Sequence, residues 1–180
     1  QKMAEYDGDI GPAGHSLPLR ICGGLHALVL QNLDAALCAA YPPHSVPDAT
    51  LEEAVVSALK THEDFLINWT EFPPQTNEVR RSTALIAMAH VAVSHFDRTI
   101  VLSELGASGG LNLMWDRFGL TLNGMRYGPQ DAVLTLQPDW TGGPLPKAYP
   151  QVVDRLGVDL NPLNPKDPSD LLRLTAYLWP

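Results

Sequence analysis

Apolar positions recur at helical spacing through the first half of the chain, and then the period changes. Leu25, Leu28, Val29, Leu33 and Leu37 predict a first helix, with Ser16 placed to cap it, Pro18 tolerated in its first turn, and Tyr41-Pro42-Pro43 ending it. Thr50 and Glu53 form a capping-box pair ahead of Leu51, Val55, Leu59 and Leu66, which predicts a second helix to about Trp69. Pro73-Pro74 breaks that run. A third helix is expected from Thr76 or Asn77 to about His95, carrying Val79, Leu85, Ile86, Met88 and Val93. Residues 1–15 hold three glycines without a period and predict an irregular lead-in.

From residue 98 the pattern is that of strands. Thr99 to Leu105 is short, apolar and β-branched, which suits a buried parallel strand. Gly106 to Gly110 then turns the chain toward a short helix through Leu111, Leu113, Met114 and Trp115. Two alternating runs, L-T-L-N-G-M-R and A-V-L-T-L, predict an antiparallel hairpin inserted over residues 118–150. A helical turn from Val152 is expected to lead into a second core strand, G-V-D-L. Asp167 or Ser169 then caps a last helix running from Leu171 to Tyr177. The expected fold is therefore α/β. A helical region over 1–97 precedes a partial Rossmann-like core over 98–180, of the class I methyltransferase type.

The most informative chemistry lies in E-L-G-A-S-G-G-L-N, residues 104–112. A strand that ends in a glycine turn opening a helix gathers amide N–H groups and the positive end of a helix dipole at one point. Two templates fit. In the nucleotide loop of methyltransferases, E-x-G-x-G-x-G, Glu104, Gly106 and Gly110 match while Ser108 replaces the middle glycine. In the nucleophile elbow, G-x-S-x-G, Gly106, Ser108 and Gly110 match in full. The hydrolase fold of that elbow needs its histidine after the serine, yet His15, His26, His44, His62, His90 and His95 all precede Ser108. The nucleotide template asks instead for an acid at the end of the next core strand, to accept from ribose hydroxyls. Asp159 fits. Glu104, Gly106, Ala107, Ser108, Gly110, Asn112 and Asp159 are accordingly the expected cofactor-binding set, for S-adenosylmethionine. The plainer alternative is a glycine turn that only packs a helix on a strand.

A second polar cluster, P-P-Q-T-N-E-V-R-R-S, opens the third helix. Gln75, Asn77 and Arg81 are its candidate substrate-binding residues, set against the simpler reading of a well-capped, solvated first turn. For Trp115-Asp116-Arg117 an exposed ion pair of little worth is the expectation. His90 and His95 are five apart and do not stack on one helical face, so a metal site is not expected. Cys22 and Cys38 have neither a histidine nor a Cys-x-x-Cys partner near them, which predicts apolar burial and a reducing, cytoplasmic setting.

Composition narrows the partners. The chain has 180 residues, a net charge of −8 and 45% apolar residues, enough for a real core and against wholesale disorder. The negative charge argues against nucleic acid, whose phosphates call for a basic surface. No stretch approaches the roughly 20 apolar residues of a membrane span, and no basic-then-apolar leader opens the chain.

Four ordered motifs carry a resemblance over nearly the whole chain: L-R-I-C-G-G-L-H-A-L-V-L (19–30), P-P-Q-T-N-E-V (73–79), E-L-G-A-S-G-G-L-N-L-M-W-D-R (104–117) and V-D-L-N-P-L-N-P (158–165). Together they resemble a bacterial family catalogued as domain of unknown function 2332. The resemblance implies a longer protein at both ends and brings no reaction with it. Only 75 residues follow Leu105, and a strand–helix–strand unit takes roughly 30 or more. A full seven-stranded methyltransferase sheet does not fit in that length. A missing C-terminal half, or a partner subunit such as a second copy, is expected to complete the open edge. The function expected is S-adenosylmethionine binding, with methyl transfer to an unidentified small molecule or protein. The alternatives are a non-catalytic interaction scaffold on the same fold and a serine hydrolase using Ser108.

Overall fold

The computed structural model describes residues 6–179. In chain order its elements begin with α1 (Leu17–Leu30), α2 (Ala35–Ala40), α3 (Asp48–Thr61), α4 (Glu63–Thr70) and α5 (Ser82–Phe96). There follow β1 (Ile100–Leu105), β2 (Phe118–Leu122), β3 (Met125–Tyr127), β4 (Leu134–Leu136), β5 (Val152–Val158) and α6 (Pro168–Ala176), with 3₁₀ turns at Val79–Arg81 and Asn112–Arg117. The change from helix to mixed structure falls at residue 97, as the periodicity predicts. Packing divides the chain elsewhere: Asn77–Leu163 form one compact unit, and the segments on either side of it form the other.

The helical unit holds α1 to α4 and α6. The first expected helix is two, because Asn32 takes a left-handed φ of 53° and Asp34 restarts the chain by accepting from the Leu37 amide at 2.9 Å. The second is split at His62, which leaves the helical region at φ −111° and ψ 31° and serves as both the end of α3 and the start of α4. α3 starts at Asp48 behind Pro47, so Thr50 sits inside its first turn and is not the cap. Ser16 stands at the start of α1, but its side chain makes no capping bond. Asp167 does cap α6, accepting from the amides of Ser169 and Asp170. The lead-in is irregular from residue 6; residues 1–5 lie outside those described. Leu25, Leu28, Leu37, Ala58 and Leu66 form the core of this unit. Cys22 is exposed rather than buried, and Cys38 is half-buried.

The mixed unit packs α5 against two small sheets. β1 and β5 are parallel neighbours; Ile100 pairs with Val152, the register shifts between Ile100 and Val101, and the pairing then runs evenly from Val101–Asp154 to Leu105–Val158. β5 is strand from Val152 onward, without the helical turn expected before it, because it pairs along the whole of β1. Between the two in sequence lies a three-stranded sheet in the order β3-β2-β4. The antiparallel hairpin falls within the first of the two runs rather than between them: β2 and β3 are joined through Asn123-Gly124, both at positive φ. β4, however, runs parallel to β2. Gly128, at φ 90°, turns the chain off the hairpin, and Arg126 Nη2 donates to the carbonyls of Pro129 and Gln130 in the connection that carries it round. Ile86, Trp115, Phe118, Leu120 and Leu122 form the core, with Ile100 and Leu102 packed on it. The opposite face of β1 and β5, including Leu105 (87% exposed) and Leu156 (65% exposed), is open. β1 is therefore half-buried on one face and exposed on the other.

Candidate functional site

The chain leaves β1 at Leu105 and turns through Gly106, Ser108 and Gly110, at φ 70°, 51° and 71°. A Cβ on Gly106 would meet nothing within 4 Å, and one on Gly110 only Leu113 Cδ1 at 3.8 Å. Glycine is thus required by backbone conformation there, and the space beside it is open. Gly157 has the opposite reason: a Cβ there would come within 2.8 Å of both Ala107 Cβ and Leu113 Cδ1. Its absence lets β5 approach the turn closely.

The turn is braced by its own amides. Gly106 and Ala107 donate to Val158 O at 2.9 and 3.1 Å, and Gly110 donates to Ala107 O at 2.7 Å. Ser108 N donates to Asp159 Oδ2 at 2.7 Å, and Leu111 N to Asn77 Oδ1 at 2.9 Å. Leu163 N closes the far side on Ser108 O at 3.2 Å. The expected cluster of unpaired N–H groups is therefore not what the turn presents. It presents a braced turn with open space beside Gly106.

Two carboxylates stand at this end of the parallel pair. Asp159 follows β5 directly and accepts from Asn161 N at 2.8 Å through Oδ1, as well as from Ser108 N through Oδ2. These amides, Asn161 first and Ser108 next, hold its carboxyl below the usual range. Glu104 lies on the core-facing side of β1, and its Oε2 is buried with no hydrogen-bond partner among the described residues. Burial pushes its carboxyl above the usual range, and the nearby Arg81 charge offsets part of that.

The second polar cluster straddles the packing division. Gln75 falls in the helical unit, where it is buried. Asn77 does reach the glycine turn, as its bond to Leu111 shows, but as a brace. Asn112 is a brace as well: Ser82 Oγ donates to its Oδ1 at 2.8 Å, and its Nδ2 donates to Glu78 O at 3.3 Å. Arg81 is exposed, and it acts on the site through its charge on Glu104. Asp116 takes a partner the sequence did not suggest. Arg155 of β5 donates to both of its oxygens, at 2.9 and 3.1 Å, whereas Arg117 lies 3.9 Å away.

Among the described residues, no group of three or more His, Cys, Asp or Glu side chains is placed to hold a metal ion. No helix among the described residues is long and apolar enough to cross a membrane. A family model described as an uncharacterized protein conserved in bacteria (DUF2332) matches residues 1–180. No curated protein and no solved structure matches the chain.

Proposed function

The chain belongs to this family of uncharacterised bacterial proteins, so its activity has to come from the site itself, and we propose that the glycine turn binds a nucleoside cofactor of the S-adenosylmethionine type. One observation carries the reading: two parallel, adjacent strands deliver a glutamate, an open glycine turn and a carboxylate to the same sheet end. Ligands of open α/β sheets bind at the carboxyl ends of the strands, where loops diverge.

Each residue has a chemical role in that picture. Asp159 uses one lone pair on each oxygen for an amide, and a carboxylate has about four acceptor positions. Both oxygens therefore keep capacity for the two ribose hydroxyls. Glu104 holds a buried carboxylate oxygen without a donor, which suits a ligand ammonium group. Gly106 and Gly110 leave room for the nucleoside to lie against the backbone, and Asn77 and Asn112 keep the turn from shifting. When bound, S-adenosylmethionine supplies an electrophilic methyl carbon on a sulfonium centre. The chain's part is then to orient that carbon toward an acceptor, a small molecule or a protein.

Isothermal titration tests the reading. S-adenosylmethionine and S-adenosylhomocysteine should each give a saturable heat with the wild-type chain. Asp159→Ala should abolish it while far-ultraviolet circular dichroism stays unchanged. No heat from the wild type at millimolar ligand would overturn the proposal.

A further inference from the structure

The mixed unit holds a hollow of about 990 Å³, which lies at the upper end of small-molecule pocket sizes. None of Glu104, Gly106 to Asn112 or Asp159 lines it. Its apolar floor is made by Ile86, Trp115, Phe118 and Leu145, all buried. The hairpin β2–β3 and the proline-rich segment 144–150 complete the walls.

Its polar groups are few and fixed. His90 is only 6% exposed, and its Nδ1 lies 3.3 Å from Pro146 O. A carbonyl oxygen only accepts, so Nδ1 carries the hydrogen and Nε2 is left as a lone-pair acceptor. The ring is further held by Tyr127, edge to face at 5.3 Å, and Tyr127 in turn accepts from Leu145 N at 3.0 Å. At the exposed rim stand Arg126 and Lys147. The lining carboxylate, Asp116, is already neutralised by the two-pronged Arg155 bond. In a chain of net charge −8, a lining with two uncompensated cations runs against the overall field.

From this combination we propose that the hollow is a binding site for a small organic anion with a flat, apolar body. The body lies on Trp115 and Phe118, the anionic group meets Arg126 and Lys147, and a ligand N–H or O–H donates to His90 Nε2. The site is separate from the glycine turn and does not depend on what the turn binds.

Paired fluorescent probes test this on the whole chain. Anilinonaphthalene sulfonate is a flat anion, and N-phenylnaphthylamine has nearly the same ring body without charge. The anionic probe should titrate to one saturable site. The double variant Arg126→Gln/Lys147→Gln should weaken it roughly tenfold or more, as loss of charged hydrogen bonds implies. The neutral probe should change less than about twofold, since its apolar contacts are intact. Ala148→Trp, which fills the hollow from its lining, should remove both probes with circular dichroism unchanged. S-adenosylhomocysteine should displace neither. Equal binding of the anionic probe to wild type and double variant would overturn the anion assignment, and unaltered binding to Ala148→Trp would overturn the site.

Discussion

The carboxylate of Asp159 accepts the Ser108 amide hydrogen across 2.7 Å and so ties the end of β5 to the turn that follows β1. Hydrogen bonds to charged groups contribute about 1.5–3 kcal/mol each when shielded, and this one is partly exposed. Asp159→Ala should therefore lower unfolding free energy in urea by about 1–3 kcal/mol at neutral pH. The pH dependence follows from the depressed carboxyl. Its stabilisation is complete above the ordinary value of 3.8 and is lost as pH falls through the lower folded value. The gap between wild type and Asp159→Ala should close on acidification below about pH 3.8, the unfolded value. A gap that persists there would mean that the charge is not what braces the turn.

Glu104 has the opposite sign. Burial raises its carboxyl in the folded chain, so the folded state binds the proton more tightly than the unfolded one. Its cost appears as pH rises above the unfolded value near 4.5. Glu104→Gln should raise the urea midpoint at neutral pH and leave it nearly unchanged in acid. The same substitution should weaken S-adenosylhomocysteine in titration, because the donor-free oxygen is the group assigned to the ligand ammonium. A more stable protein that binds less well would separate the ligand role from a structural one.

Gly23 lies in α1 against the Tyr177 ring, and a Cβ there would fall 2.6 Å from Cε1 and 2.8 Å from Cζ. Alanine in a helix interior gains up to about 1 kcal/mol over glycine. Displacing a buried ring costs about 1–3 kcal/mol. The ring is held between α1 and Trp69, so the steric term should win and Gly23→Ala should be destabilising by about 1 kcal/mol net. Tyr177→Phe, by contrast, should be neutral or stabilising, because its hydroxyl is buried without a hydrogen bond of good geometry. Thermal unfolding of the two variants checks both signs.

The two neighbours of Trp115 should separate cleanly. Asp116 accepts two hydrogen bonds from Arg155, which also donates to Leu113 O at 2.9 Å, so one guanidinium ties the 3₁₀ turn to β5. Asp116→Ala should cost about 1–3 kcal/mol in urea unfolding. Arg117, with its side chain 64% exposed and 3.9 Å from Asp116, should tolerate alanine within about 0.5 kcal/mol. Equal costs would contradict the pairing.

What could be read along the chain was whatever a local period or a local cap encodes. The α5 stripe, the β1 run and the Asp167 cap are each settled within a few residues, although α5 itself begins at Ser82 rather than at Thr76 or Asn77, behind a 3₁₀ turn at Val79–Arg81. The glycine turn and its distant acid were also legible, because a strand end and a parallel neighbour leave a recognisable residue pattern. The short breaks around Asn32 and at His62 were not, since a brief departure from the helix inside an apolar run does not disturb the run's period.

The sequence by itself thus determined the change from a helical to a mixed region and placed Glu104, the glycine turn and Asp159 in order, but not the helix breaks or the extent of β5. Tertiary structure alone decided the rest: that β4 returns parallel to β2, that the turn's amides are taken by Val158, Asp159 and Asn77, and that Arg155 claims Asp116. It also decided that Glu104 keeps a buried oxygen without a donor, and that His90, Arg126 and Lys147 line one hollow. The physical reason is range. Backbone conformation is set by neighbours a few residues away, whereas hydrogen-bond partners, charge pairs and cavities depend on which distant segments the fold brings together.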